Sequence, residues 1–326
     1  MKTKRHFLTY LILIGVAAVL PLFFRNNSYV MHLFIMSLIW GVVAASWDLI
    51  LGYAGIFNLG QIAFFAIGAY ASGMLSKHLG VSPWIGIPIG GVFGGFFGFL
   101  IGLPCLKLKG IYIALMTLAF YEVVGPLITV GRAVGTGGQQ GLYPIPPLKL
   151  GQYVFNSSQL IPWYYVAFVL FVVFLFVIYR LINSNFGLAF TALRDREDLA
   201  KSLGINKYMA SLVLTAAAAG ITGAVGAFYA HYVSVISPRL LGLENFLFLL
   251  IMVILGGASN FPGAVIGAFA VTFINDWLRV LDDFRLLALG ALLVIIIILF
   301  PKGIMGTIDK LSDRIRAARK KRSKWI

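Results

Sequence analysis

Apolar runs long enough to cross a bilayer recur from one end of this sequence to the other. A hydrocarbon core of about 30 Å needs about 20 residues of apolar helix to span it. Within that core each backbone amide and carbonyl must find its partner inside the protein, which a helix achieves along its own axis. Charged residues make up only 11% of the 326 positions and hydrophobic residues 60%, whereas soluble domains carry about 25% charged residues. The sequence therefore predicts an all-α, polytopic helical membrane protein.

About ten transmembrane segments are expected, near 7–24, 29–51, 59–77, 83–104, 110–131, 162–182, 207–233, 243–257, 262–278 and 286–300. They form one membrane domain over 1–308, followed by a basic tail at 309–326. Met1 to Phe24 imitates a secretory signal, but its apolar run continues without a small-x-small cleavage site and reads as a retained first span. The basic N-terminus, the Lys107–Lys109 pair, the charged segment at 183–207 and the tail all belong on the cytoplasmic side. Ten spans satisfy that parity and place both termini in the cytoplasm. Gly52, Gly55 and Gly60, and again Gly256, Gly257, Pro262 and Gly263, interrupt apolar runs, so broken or re-entrant helices are expected there. The segments starting at Gly55 and Gly257 echo each other, over a stretch too short to establish a repeat. Trp84, Trp163 and Trp277 fall near the expected outer boundary.

The net charge of +15 comes from membrane edges and the tail, so positive-inside topology and anionic lipid explain it better than nucleic acid. One cysteine, Cys105, excludes an internal disulfide and any multi-cysteine metal site. His6, His32, His78 and His231 form no ligand motif, and no metal site is expected. Walker A, His-Glu-x-x-His and Gly-x-Ser-x-Gly patterns are all absent. No catalytic set is evident, and an enzyme is not expected.

Small residues mark helix contacts. Gly90, Gly94, Gly98 and Gly102 repeat at i, i+4, as do Ala216, Gly220 and Ala224. Such stripes let backbones approach where lipid gives no hydrophobic drive, and packing within the chain is the favoured use here.

The polar segment 183–207 stands out between two long apolar runs. It reads as a short amphipathic helix, with Asp195 as its cap and Asp198 completing a weak capping box. Leu199 and Leu203 share a face, Gly204 ends the helix, and Asn206 caps the next. A knob of this kind suits a groove on a partner; the alternative is a solvated loop. A second polar stretch, 132–160, is a long loop rich in Gly and Pro.

Polar groups inside spans are costly and mark function or interhelical bonding. Asn58, Gln61, Thr117 and Glu122 are the candidate lining of a solute path. For Glu122 a solute path and an interhelical hydrogen bond weigh evenly. Asp48, near a span end, favours a structural role. Lys and Arg are nearly absent from span centres, which suits a small net-neutral or zwitterionic solute with an apolar part.

Several stretches resemble one family. Leu51-Gly-Tyr-Ala-Gly-Ile-Phe-Asn-Leu-Gly-Gln, Leu106-Lys-Leu-Lys-Gly-Ile-Tyr-Ile-Ala-Leu-Met-Thr, Gly135-Thr-Gly-Gly-Gln-Gln-Gly-Leu, Phe186-Gly-Leu-Ala-Phe-Thr-Ala-Leu-Arg-Asp and Phe300-Pro-Lys-Gly-Ile-Met-Gly resemble the M-type permease of branched-chain amino acid ABC importers. The match runs in order over roughly 37–307. The resemblance implies a cell inner-membrane subunit that forms the translocation pathway by alternating access. It implies a second permease subunit, with a different chain favoured, two ATP-binding subunits and an external solute-binding protein. ATP and magnesium would sit on the ATPases, with no cofactor in this chain. Residues 194–204 would be the coupling helix: Arg194, Asp195, Arg196 and Asp198 by charge, and Leu199, Leu203 and Gly204 by shape. Loop 132–160 would face the binding protein. Urea and short amides are the alternative solutes, and a passive channel is the alternative mechanism.

Overall fold

The computed structural model describes residues 27–108, 110–156, 159–299 and 303–307, together with 17, 19, 21 and 23–25. Most of the first expected span, Lys109 and the basic tail at 309–326 lie outside the described residues.

Helices dominate, as the composition dictates. They are α1 (Ser28–Asp48), α2 (Gln61–His78), α3 (Pro83–Cys105), α4 (Ile111–Val130), α5 (Leu160–Ile182), α6 (Asn185–Asp195), α7 (Glu197–Ser202), α8 (Lys207–Val233), α9 (Leu243–Gly256), α10 (Gly263–Trp277) and α11 (Arg285–Leu299). Seven helices among the described residues, built on α1, α3, α4, α5, α8, α10 and α11, are long and apolar enough to cross a membrane. The expected count of ten is not reached there, for physical reasons. Helix α2 ends on Lys77 and His78, α9 has only 14 residues, and most of the first span lies outside the described residues.

Helix α1 is the axis of the bundle. Asn27 caps it, its side chain accepting from Val30 N at 3.2 Å, and from Ser37 to Asp48 it is buried without interruption. A helix enclosed on every side needs apolar residues all round rather than one stripe. Around it stand α5, α8, α9 and α10.

Helices α2, α3 and α8 form a second, tighter group. All four glycines of the α3 stripe are buried. A Cβ at Gly94 would sit 2.5 Å from Ala219 O, one at Gly98 2.4 Å from Ala219 Cβ, and one at Gly90 2.6 Å from Ala227 Cβ. Gly91 and Gly95 face Ala224, Gly220 and Ala216 across the same seam. The two small-residue stripes thus meet each other inside one chain, as expected.

The 132–160 loop is more built than its composition suggests. Leu142, Ile145, Leu148 and Phe155 are buried. Leu142 N donates to Ile236 O at 2.8 Å and Ile145 N to Ser234 O at 3.0 Å. His231 joins Pro146 O at 2.7 Å through Nδ1 and Ser72 Oγ at 2.8 Å through Nε2. The carbonyl can only accept, so Nδ1 carries the proton and the Ser72 hydroxyl donates to Nε2. A small hairpin, β1 (Lys149–Leu150) with β2 (Tyr153–Val154), completes the cap. Trp84 binds Lys149 O through its indole N–H at 2.7 Å. Trp163 departs from the expected boundary role: it is buried, packed among Phe155, Phe228 and Tyr232.

Candidate functional site

The charged segment folds as two helices rather than one. Ser184 caps α6, its hydroxyl accepting from Gly187 N at 3.3 Å. Asp195 is the last residue of α6, not the cap of the next helix. Arg196 occupies the cap position of α7 and makes no side-chain cap bond. The reason is local: the Asp195 carboxylate is engaged by Arg194, 3.0 Å from Nε. Gly204 does end the segment, with φ +83°, and Asn206 does cap α8, accepting from Met209 N at 3.1 Å. Glu197 is held by Lys201 at 2.6 Å and Lys207 at 2.7 Å. Those two ammonium groups, Lys201 first, lower its carboxyl pKa to about 2. Leu199 and Leu203 stand exposed, at 56% and 74%.

Beneath this knob two helices break. Helix α1 loosens into a π turn at Leu49–Tyr53 and runs irregularly to Gly60 before α2 begins. Helix α9 stops at Gly256, and α10 starts at Gly263. The breaks touch. Ser259 N donates to Asp48 Oδ1 at 2.9 Å, Ser259 Oγ to Gly52 O at 2.7 Å, and Phe261 N to Tyr53 OH at 3.0 Å. A Cβ on Gly52 would lie 2.5 Å from Ser259 N, so this approach requires glycine. Unwound backbone at membrane depth must be satisfied by the protein, and these bonds do so. Asp48 is buried and structural, as expected.

Arg194 closes the junction from the knob side. Its Nη1 donates to Gly52 O at 2.8 Å and to Ser259 Oγ at 2.8 Å. A cation suits this place, because carbonyls freed at a helix C-terminus carry partial negative charge.

A cavity of about 280 Å³ opens beside the first break. The break supplies Ala54 to Asn58, the end of α3 supplies Ile101, Gly102 and Cys105, and the knob supplies Phe190, Leu193, Arg194 and Glu197. Of the candidate path residues, Asn58 and Thr117 line this cavity. Thr117 Oγ1 accepts from Leu59 N at 2.9 Å, and Asn58 Oδ1 accepts from Gly60 N at 2.7 Å. Gln61 lies deeper, 1% exposed, bonded through its amide to Ser46 Oγ at 3.1 Å and to Thr222 Oγ1. Glu122 is apart from these three, on the exposed face of α4. Sequence reasoning missed Ser259 and the Gly52 carbonyl. The usable signal was the echo between the segments at Gly55 and Gly257, which are the two breaks.

Broken helices meeting under a polar knob, in a chain of membrane-spanning helices, define a multi-pass transport permease. Residues 29–300 match the family model described as branched-chain amino acid transport system, permease component, and the chain belongs to that family. It is therefore a permease subunit of an ATP-binding-cassette importer rather than an enzyme. It is 30% identical over 291 residues to the high-affinity branched-chain amino acid transport system permease protein LivM of Escherichia coli (strain K12), covering 83% of this chain and 68% of that protein. A probable LivM of Methanocaldococcus jannaschii is 26% identical, over 72% of this chain and 76% of its own length. The nucleoside ABC transporter permease protein NupC of Lactococcus lactis subsp. cremoris is 25% identical, over 55% and 60%. No solved structure matches the chain significantly.

Proposed function

We propose that this chain carries leucine, isoleucine and valine across a cell inner membrane, as one of two permease subunits. Both termini lie in the cytoplasm, and the full chain crosses about ten times. The second permease is a different chain and covers the α4 face that bears Glu122, where lipid would leave a carboxylate poorly solvated. An external binding protein delivers solute at the 132–160 cap. Two ATPases, holding ATP and magnesium, grip the knob through Asp195, Arg196, Asp198, Leu199, Leu203 and Gly204, with Arg194 behind them. Asn58 and Thr117 at the cavity, with Gln61 deeper, border the inward half of the path. Polar groups beside apolar Ile56, Phe57 and Ile113 suit a zwitterion with a branched apolar tail.

The observation that carries the coupling assignment is the pair of exposed leucines, Leu199 on α7 and Leu203 at its C-terminal cap, beside the charged residues 194–198. The test is co-purification of the ATPases with Leu203→Asp. A buried interface charge without a partner should weaken association by about tenfold or more. Undiminished recovery of the ATPases would remove the knob from the interface. The likeness to a nucleoside permease supplies a second reading of the solute. Uptake of labelled leucine, competed by valine or by uridine, separates the two.

A further inference from the structure

We infer that Arg194 acts inward, as the link that carries movement of the knob to the two helix breaks, rather than outward as a contact for the ATPase. This rests on the reading of the knob as the ATPase handle and deepens it.

The geometry is specific. Arg194 is the penultimate residue of α6, and only 32% of its side chain is exposed. One guanidinium edge is taken by Asp195, at 3.0 Å from both Nε and Nη2. That leaves Nη1 aimed into the membrane domain, where it meets one acceptor from each break, Gly52 O and Ser259 Oγ. Its aliphatic stem lies on Gly55, where a Cβ would fall 2.7 Å from Arg194 Cγ. A planar fork fixed by its own aspartate and bonded to two acceptors transmits displacement better than a flexible ammonium.

The receiving side is poised. Ser259 is a non-glycine residue with φ +66°, a left-handed conformation that persists only where its surroundings hold it. Its amide binds Asp48 and its hydroxyl binds both Gly52 and Arg194. Withdrawal of Arg194 removes a donor from Gly52 O and from Ser259 Oγ together. The segment Ala54–Asn58, which walls the cavity, follows directly from Gly52. Motion at α6 and α7 is thereby delivered to the two breaks, and so to the Ala54–Asn58 wall, through the Arg194 side chain.

The test uses the complete importer, purified through a tag on this chain with its own partner subunits. Phe57, 47% exposed at the cavity, is changed to Cys in a Cys105→Ser background, and its labelling by a polar maleimide is timed with and without vanadate-trapped nucleotide. The parent should change its labelling rate about tenfold on trapping, whereas Arg194→Ala should change less than about twofold with its ATPases still bound. Arg194→Lys should fall between the two. Ser259→Ala, which keeps the arginine, should follow Arg194→Ala in direction and supplies the answer if that variant fails to assemble. Loss of the ATPases from Arg194→Ala in a folded permease would make Arg194 an interface residue and overturn the inference. So would a parent-like response to trapping in Arg194→Ala or in Ser259→Ala. Retention of ATPases by Leu203→Asp would instead sink the coupling reading itself.

Discussion

Asp48 and Ser259 are 211 positions apart, and the carboxylate of one accepts the backbone amide of the other at 2.9 Å. This bond ties the end of the central helix to the second break. Asp48→Ala leaves a partly buried N–H without an acceptor, at a cost of about 1 kcal/mol. Asp48→Asn keeps a carbonyl oxygen in place and should cost less. Thermal unfolding of the detergent-solubilised protein should rank them wild type, Asn, Ala.

The seam between α3 and α8 leaves no room for side chains. Gly94→Leu places a branched chain where the first carbon already meets Ala219 O at 2.5 Å. Overpacking of this kind costs about 1–3 kcal/mol, and rigid backbone on the far side puts this site at the upper end. A lowered Tm is expected, with little effect from Gly290→Ala, where a Cβ meets nothing within 4 Å.

The ion triad of the knob sets a pH window. Glu197 has its pKa lowered to about 2 by Lys201 and Lys207, against about 4.3 for a free glutamate. Its contribution is complete above the ordinary value and fades as pH falls toward the lowered one. Lys201 has its pKa raised by Glu197, so its contribution is complete below about 10.4 and is lost as pH rises beyond that. Protection from hydrogen exchange across 197–207, taken relative to the intrinsic rate at each pH, should be flat through neutral pH and fall in acid below about 4. Glu197→Gln should be less protected at pH 7 and lose the acid step in protection.

Much of this was legible from residues alone. Runs of apolar residues gave the helices, because a spanning helix declares itself by length. The stripes at Gly90 and Ala216 gave the α3–α8 contact, because close approach admits only small residues. Gly204 and Asn206 marked true helix ends by local chemistry. The role of Asp195 was not legible, since a carboxylate at a helix boundary can cap the next helix or pair with a neighbouring arginine. The direction of Arg194 was also hidden, because its acceptors lie 142 and 65 positions away. The fold of the 132–160 loop was concealed by its composition: glycine and proline suggest a slack connector, while four buried apolar anchors pin it.

A polar pin is added from α8 by His231, 0% exposed. His231→Ala removes the donor to Pro146 O and the acceptor for Ser72, at about 1–3 kcal/mol for each group stranded. Proteolysis within 149–156 should speed up while the helices remain intact.

The glycine seam has a consequence for how the permease can move. Two backbones interlocked from Gly90 to Gly102, about three turns, cannot slide past one another without a collision at every turn. Helices α3 and α8, with α2 clasped beside them, must travel as a single rigid wedge. Whatever rearrangement admits and releases cargo must then be absorbed at the irregular elbows, 54–60 and 257–262, and the wedge itself acts as the lever arm.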